Sequence, residues 1–410
     1  MPLKRVVITG RGAVSPFGLG VQPLLEGIWA GRSAIRAMPE WARIDGLKSL
    51  LAAPVPDFAD KELLPRSLRR TMGPMAKYAT LAALEAVKDA GIDQSLLATG
   101  TIGVAVGSTT GSPSAYEDFY RTFLPAETIG GIRSGEFFKI MGHSCAANIC
   151  LALGIHGEQW SPVSACASSS QAIGLGYLLI QAGRQRAMLC GGADEVHHSV
   201  TGVFDVVRAA SLQNDNPAAT PRPFDAERDG VVCGGGGGII LLESYESARE
   251  RGARIYGEII GFGNVNDSEH IANPHEGSMA RAMLNAMDES KISPAEVDYV
   301  NAHATATLLG DPAEAAAIAK VVGASVPTSS FKGHIGHTLG AAAALETIVL
   351  LEMLQRQEII PTLNLANPDP ECAVANLVRK IEKRALTTVL KNNFALGGVN
   401  AALVLRRLTP

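Results

Sequence analysis

The sequence predicts a layered α/β protein, and three observations predict it. Short β-like runs alternate with helical patterns along the whole chain. Hydrophobic residues make up 47% and charged residues 19% of the 410 positions, enough to bury a large core. Glycine is in excess, at 43 of 410 residues, and aromatics are only 5%; an average protein has roughly 7% glycine. This balance argues against disorder, coiled coil and collagen. It favours tight turns, close helix approaches and small-residue clefts.

The elements follow in order. KRVVITG reads as a strand, with a helix near 21–31 after it. MGPMAKYATLAALEAVKDAGI is an amphipathic helix ended by Gly91, and the strand TIGVAVGS follows. ACASSSQAIGLGYLLIQAG is a helix of small residues, then RAMLCGG and GGIILLE are strands. The helix ESYESARERGA gives way to the strand RIYGEIIGFG. MARAMLNAMDESKI and the strand VDYVNAHA repeat the earlier helix–strand unit, and GHTLGAAAALETIVLLEMLQ is a second small-residue helix after His337. The recurrence suggests a duplication into halves 1–250 and 251–410. The length agrees, since about 150 residues per domain implies two or three packing units.

Charge excludes some partners. Thirty-six basic and forty acidic residues leave −4, with no block of like charge, so nucleic acid is not an expected partner. One local cluster, RSLRR with Arg66, Arg69 and Arg70, reads first as a solvated face. The start MPLKRVVITGRG does not resemble a signal peptide. The longest uncharged stretch, 159–183, is rich in serine and a poor membrane span. The six cysteines form no CxxC pair, so reduced thiols in a cytoplasmic protein are expected.

Four segments carry candidate chemistry. In VSACASSS the end of a strand is expected up to Cys166, with a helix from Ala167. A cysteine at a helix amino terminus meets unpaired N–H groups and the dipole, which stabilise a thiolate. A buried core cysteine is the other reading of the same pattern. In NAHATAT, His303 falls where a strand ends, and strand ends face clefts in α/β folds. A satisfied core histidine fits equally well. In SSFKGHIGHTLG, Lys332, His334 and His337 precede a helix. An HxxH metal pair is disfavoured by the adjacent lysine and the lack of a third ligand, so no metal is expected; an anionic intermediate fits better. In KNNFALGGVNAALV, the FALGG turn offers backbone N–H groups to an oxyanion, or is an ordinary hairpin. TGRGAVS and the GGGGG run at 234–238 lack the remaining residues of a nucleotide-binding loop.

Together these segments resemble the β-ketoacyl-acyl carrier protein synthases, closest to the type II condensing enzymes. The likeness runs from VVITGRGAVSPFG near the amino terminus to FALGGVNAALV at 394–404, through VSACASSS, SLQNDNPAATPRPFDAERDG, NAHATATLLGDPAE and KGHIGHTLGAAAALE. The resemblance implies the thiolase fold, a five-layered αβαβα arrangement of two duplicated halves. It implies that Cys166 takes an acyl chain as a thioester, while His303 and His337 assist decarboxylation of a malonyl group. Lys332 would support them electrostatically, with Glu346 behind it. The oxyanion hole would use the N–H groups of Cys166 and Leu396. Thr305 and Thr307 would hold the phosphopantetheine arm, and Phe394 and Thr110 would contact substrate. No bound cofactor is implied, since the substrate rides on the phosphopantetheine of an acyl carrier protein. That acidic partner gives Arg66, Arg69, Arg70 and Arg208 a docking role. A homodimer is implied, or a heterodimer with a chain-length-factor-like subunit.

Departures from the family pattern surround the substrate. Leu396 replaces a phenylalanine that gates the acyl pocket. Ala304 replaces a glycine, Ala306 a serine and Gly235 an acidic residue, and Thr110 stands where a larger aliphatic residue is usual in the tunnel wall. They point to a specialised enzyme, for example of aryl-polyene or type II polyketide synthesis. A thiolase-like coenzyme A enzyme shares the fold, but FALGG lacks the second cysteine such enzymes use.

Overall fold

The computed structural model describes residues 3–125 and 127–408. The first half runs β1 (Val6–Ser15), α1 (Pro74–Ala90), β2 (Ile102–Gly107), α2 (Ser144–Leu153), β3 (Gln159–Trp160), α3 (Ser168–Gln181), β4 (Ala187–Asp194) and β5 (Gly236–Ser244). The second runs β6 (Gly257–Asn266), α4 (Glu276–Ser290), β7 (Tyr299–Asn301), α5 (Gly310–Val322), β8 (Pro327–Ser329), α6 (Ala342–Arg356), β9 (Thr388–Ala395) and β10 (Val399–Arg406).

The strand orders are β1-β5-β4-β2-β3 and β6-β10-β9-β7-β8. In each, the first two pairings are antiparallel and the last two parallel. The same connectivity occurs twice, as a duplication requires. The half-sheets join only where β1 meets β6, from Val6–Ile259 to Ile8–Gly257. Helices α1 and α2 cover the outer face of the first half-sheet; α4, with α5 beside it, covers that of the second. Helices α3 and α6 lie between the half-sheets and touch both, so the expected five layers are present.

Position in these layers explains composition. Every residue of α6 from Ala342 to Leu351 is buried, as is usual for a helix apolar all round. Each buried Ile or Leu there contributes about 1.5–3 kcal/mol. Helix α3 is buried through small residues, Ser168, Ser169, Ser170, Ala172, Gly174 and Gly176, which let its neighbours approach. A Cβ on Gly174 would stand 2.4 Å from the Phe262 ring on β6.

The glycine motifs that mimic nucleotide loops are packing devices. A Cβ at Gly12 of β1 would stand 1.9 Å from the Ala82 carbonyl oxygen of α1. At Gly263 of β6 it would stand 2.0 Å from the Ala282 oxygen of α4, the same contact in the other half. Two glycines of the 234–238 run have the same cause. Gly237 faces the backbone of Tyr78 and Ala79 in α1, while Gly238 faces Ala344 and Leu345 in α6, at 2.7–3.0 Å from the nearest atoms of a built Cβ. A strand squeezed between two helices has no room for side chains on either face.

Some local expectations differ. The strand before Cys166 ends at Trp160, and irregular chain leads to a short 3-10 turn at Ala165–Ala167. No helix among the described residues is long and apolar enough to cross a membrane.

Gly12→Val drives a carbon carrying two methyl groups against a helix backbone, so it should cost about 3 kcal/mol or more in urea unfolding. Gly202→Ala, mid-helix in His198–Val206 with nothing closer than 3.9 Å to the added carbon, should instead stabilise by about 0.5–1 kcal/mol.

Candidate active site

The two central helices begin alike. A 3-10 turn, Ala165–Ala167, leads into α3, and another, Leu339–Ala341, leads into α6. Each starts with a residue in the left-handed region, Ala165 at φ 47° and Leu339 at φ 52°. Residues with a Cβ rarely adopt this conformation, so both turns are held by surrounding packing. The halves are tied here by Asp194 at the end of β4, which accepts the Gly340 N–H at 2.6 Å and the Thr109 N–H at 3.0 Å.

These turns bring Cys166 and His337 together. His337 Nε2 lies 2.9 Å from Cys166 Sγ. The His337 backbone is locked beside β5, its N–H donating to Val232 and its carbonyl accepting from Gly234, both at 2.8 Å. His303 follows β7 and meets the His337 ring edge to face at 5.1 Å between centroids. Cys166 Sγ and one ring nitrogen each of His303 and His337 lie within 4.8 Å of one another.

A carboxylate missed by the sequence reading fixes His303. Glu314 of α5 accepts the His303 N–H at 2.8 Å and the Ala304 N–H at 2.7 Å, and also Asn392 Nδ2 at 3.2 Å. Asp311, one turn earlier, accepts the Phe224 and Ala306 N–H groups. The signal was present in GDPAE: two acids on one face at the start of a helix, where they reach the loop before it. Burial pushes the Asp311 carboxyl up to about 7.

Behind the histidines lies a buried charge cluster. Lys332 pairs with one oxygen of Glu346, as expected. The other oxygen lies 2.6 Å from Nζ of Lys391, a residue the sequence reading did not assign. All three side chains are at most 1% exposed. The signal for Lys391 was a lysine inside the apolar strand β9, since a buried ammonium needs an anionic partner.

Burial sets the protonation states. It pushes the Cys166 thiol up to about 12, and the nearby Lys332 charge only partly offsets this. The expected thiolate is therefore not the resting form: desolvation outweighs the helix amino terminus. Burial, then the Lys332 and Lys391 charges, hold His303 and His337 well below the usual imidazole range. The resting site is a thiol beside two neutral imidazoles.

A cavity of about 490 Å³ opens onto this group. Its lining includes Cys166, His303, His337, Thr305, Thr307, Phe394, Leu396 and Arg208. Leu396 is 43% exposed at the turn between β9 and β10, and its N–H makes no turn or loop hydrogen bond among the described residues. Arg208 is exposed at the cavity mouth. Arg66 and Arg70 are exposed and Arg69 half-buried on a separate short helix, Arg66–Arg69. Thr110 is exposed in the loop after β2 in the single chain, outside this cavity's lining. The HxxH pair splits, because His334 Nδ1 faces the Arg32 carbonyl at 3.0 Å while His337 faces Cys166.

Two half-sheets sandwiching paired helices, with a cavity at the helices' amino ends, define the class: a thiolase-fold enzyme. The family description "Beta-ketoacyl synthase, N-terminal domain" matches residues 3–248, and "Beta-ketoacyl synthase, C-terminal domain" matches 256–366. A 3-oxoacyl-[acyl-carrier-protein] synthase 1 of Haemophilus influenzae is 34% identical, over 99% of each chain. The crystal structure of a beta-ketoacyl synthase from Burkholderia phymatum superposes with a TM-score of 0.96 at 42% identity, covering 99% of this chain and 100% of that one. The ishigamide ketosynthase/chain length factor gives 0.92 at 32% identity, again over 99% and 100%. A type II polyketide synthase acyl-carrier protein in complex with its ketosynthase bound to the hexaketide gives 0.90 at 30% identity, over the full length of both chains. The chain belongs to the beta-ketoacyl synthase family, and it is an enzyme of the acyltransferase class.

A thiol near 12 should be alkylated slowly at neutral pH. The iodoacetamide reaction of Cys166, followed by mass spectrometry, should rise about tenfold per pH unit through pH 9 without levelling off. A plateau beginning below pH 7 would reveal a preformed thiolate.

Proposed function

We propose that this chain catalyses the decarboxylating Claisen condensation of an acyl group with a malonyl group, both presented on an acyl carrier protein. The observation that carries the reading is the 2.9 Å contact between Cys166 Sγ and a neutral His337 imidazole, facing a cavity. In the first half-reaction the sulfur attacks the acyl thioester and His337 Nε2 takes its proton. The N–H groups of Cys166 and Leu396 stabilise the oxyanion. The phosphopantetheine sulfur leaves and recovers the proton, so the acyl group rests on Cys166. In the second half-reaction the malonyl thioester loses CO₂. His303, and His337 in the tautomer protonated at Nε2 once Cys166 is acylated, donate hydrogen bonds to the enolate oxygen, and Lys332 adds a favourable field. The enolate carbon then attacks the acyl-Cys166 carbonyl; the new carbon–carbon bond forms, the Cys166 thiolate leaves, and it takes up a proton from solvent to restore the resting thiol.

Thr305 and Thr307 in the cavity lining are suited to the phosphopantetheine amides, and Phe394 to the acyl chain. Arg208 at the mouth, with Arg66, Arg69 and Arg70, supplies positive charge for an acidic carrier protein; the solved ketosynthase complex with its carrier protein supports that partner. The halves 1–250 and 251–410 act together, the first supplying the thiol and the second the histidines. A homodimer is favoured by the edge strand β3, whose Trp160 is 41% exposed beside Val163 at 56%. A heterodimer is the second reading, supported by the likeness to a ketosynthase/chain length factor. A cytoplasmic location follows from this chemistry. Leu396 in place of an aromatic residue supports a specialised acyl chain. A thiolase reaction is disfavoured because Cys166 is the one thiol lining the cavity among the described residues.

Cys166→Ala should abolish acyl transfer with the fold intact; retained condensation would remove the central claim. His303→Ala should slow malonyl decarboxylation by about 10²–10³-fold, measured by CO₂ release. Reversing the charge of Arg66, Arg69, Arg70 and Arg208 should raise the KM for carrier protein, most at low salt. An unchanged KM would move docking elsewhere. Competing saturated, polyunsaturated and aryl-primed carrier proteins tests the acyl class, and exclusive use of saturated long chains would refute specialisation.

A further inference from the structure

Lys391 has no role in the reaction as described above, yet it is completely buried and shares a carboxylate with Lys332. A single lysine on Glu346 would form a closed, neutral pair. Two ammonium groups on one carboxylate leave a surplus positive charge, in a place where unpaired charge is unfavourable.

The surroundings show where that charge acts. Lys391 Nζ touches Glu346 of α6 at 2.6 Å and donates to the Asn392 carbonyl at 2.7 Å. The other charged groups acting on it are Lys332 and Glu314 of α5. Burial pushes the Glu314 carboxyl up, and its bonds come from the neutral His303, Ala304 and Asn392 N–H groups, so it offsets the Lys391 charge only in part. Both histidines feel Lys332 first and Lys391 after it, and Lys332 also acts on Cys166. The second lysine thus adds to the positive field at the imidazole pair.

We propose that Lys391 is a positioning residue for the decarboxylation half-reaction. By taking the second oxygen of Glu346, it leaves a surplus positive charge near His303 and His337 that favours the carboxylate's charge moving onto the enolate oxygen as CO₂ leaves. The proposal rests on the condensing function given above. Burial pushes the Lys391 ammonium down to about 8. Loss of its proton removes the surplus charge, so decarboxylation should decline on the alkaline side.

The test uses the full-length enzyme with malonyl and acyl carrier proteins. Lys391→Met removes the surplus charge: kcat for CO₂ release should fall about tenfold with KM within twofold. Acylation of Cys166, read by mass, should stay within twofold, and the alkaline limb near pH 8 should vanish. The double variant Lys391→Met with Glu346→Gln restores one net positive charge, so it should release CO₂ faster than the single variant. A merely structural role predicts the opposite order, because two buried partners are then lost. The proposal is overturned if the single variant keeps both kcat and the alkaline limb, or if the double variant is no faster. If Lys391→Met does not fold, comparing the double variant with wild type decides: it should retain activity within tenfold without the limb, and a greater loss or a retained limb overturns the proposal. Wild-type enzyme that neither acylates Cys166 nor releases CO₂ would overturn the condensing reading itself.

Discussion

The structure depends on how closely the two central helices approach each other and the half-sheets on either side. Helices α3 and α6 touch through small residues, and Ser169 Oγ accepts the Ala344 N–H at 3.3 Å. A side chain much larger than alanine along this seam would part the helices. Their amino ends would part with them, and those ends carry Cys166 and lie just beyond His337. The site is therefore a consequence of packing density in the middle layer. The same constraint accounts for the glycines of β1, β5 and β6, which admit helix backbone where a Cβ would collide.

Burial then does the electrostatic work. A thiol beside an imidazole in water would share its proton according to ordinary pKa values. Here desolvation raises the thiol and lowers both imidazoles, so every member of the group rests uncharged. The charges are set one layer back, on Lys332, Glu346 and Lys391, where their field reaches the cavity without occupying it. Neutral groups in contact with substrate, backed by fixed charge, suit a reaction in which negative charge appears and is then consumed.

The layered fold was legible because its periodicities are local. The helix ended by Gly91, the strand TIGVAVGS and the small-residue helices could each be read from a few residues, and their recurrence exposed the duplication. The catalytic candidates were legible for a similar reason: Cys166, His303 and His337 each stand in a short motif at an element end. Glu314 and Lys391 were not assigned because their significance lies in partners far along the chain. The strand read in GGIILLE is present and begins at Gly236; nothing local says that helices press on Gly237 and Gly238 from either side. Thr110 was placed through the family resemblance alone, and in the single chain it lies exposed in the loop after β2.

The sequence alone therefore determined the family, the order of elements and the identity of the cysteine and the two histidines, since these depend on residues near one another. Tertiary structure alone decided the protonation of those groups, the sharing of Glu346 between two lysines and the carboxylate that anchors His303. Those properties arise from desolvation and from contacts between distant segments, and both exist only once the five layers have closed.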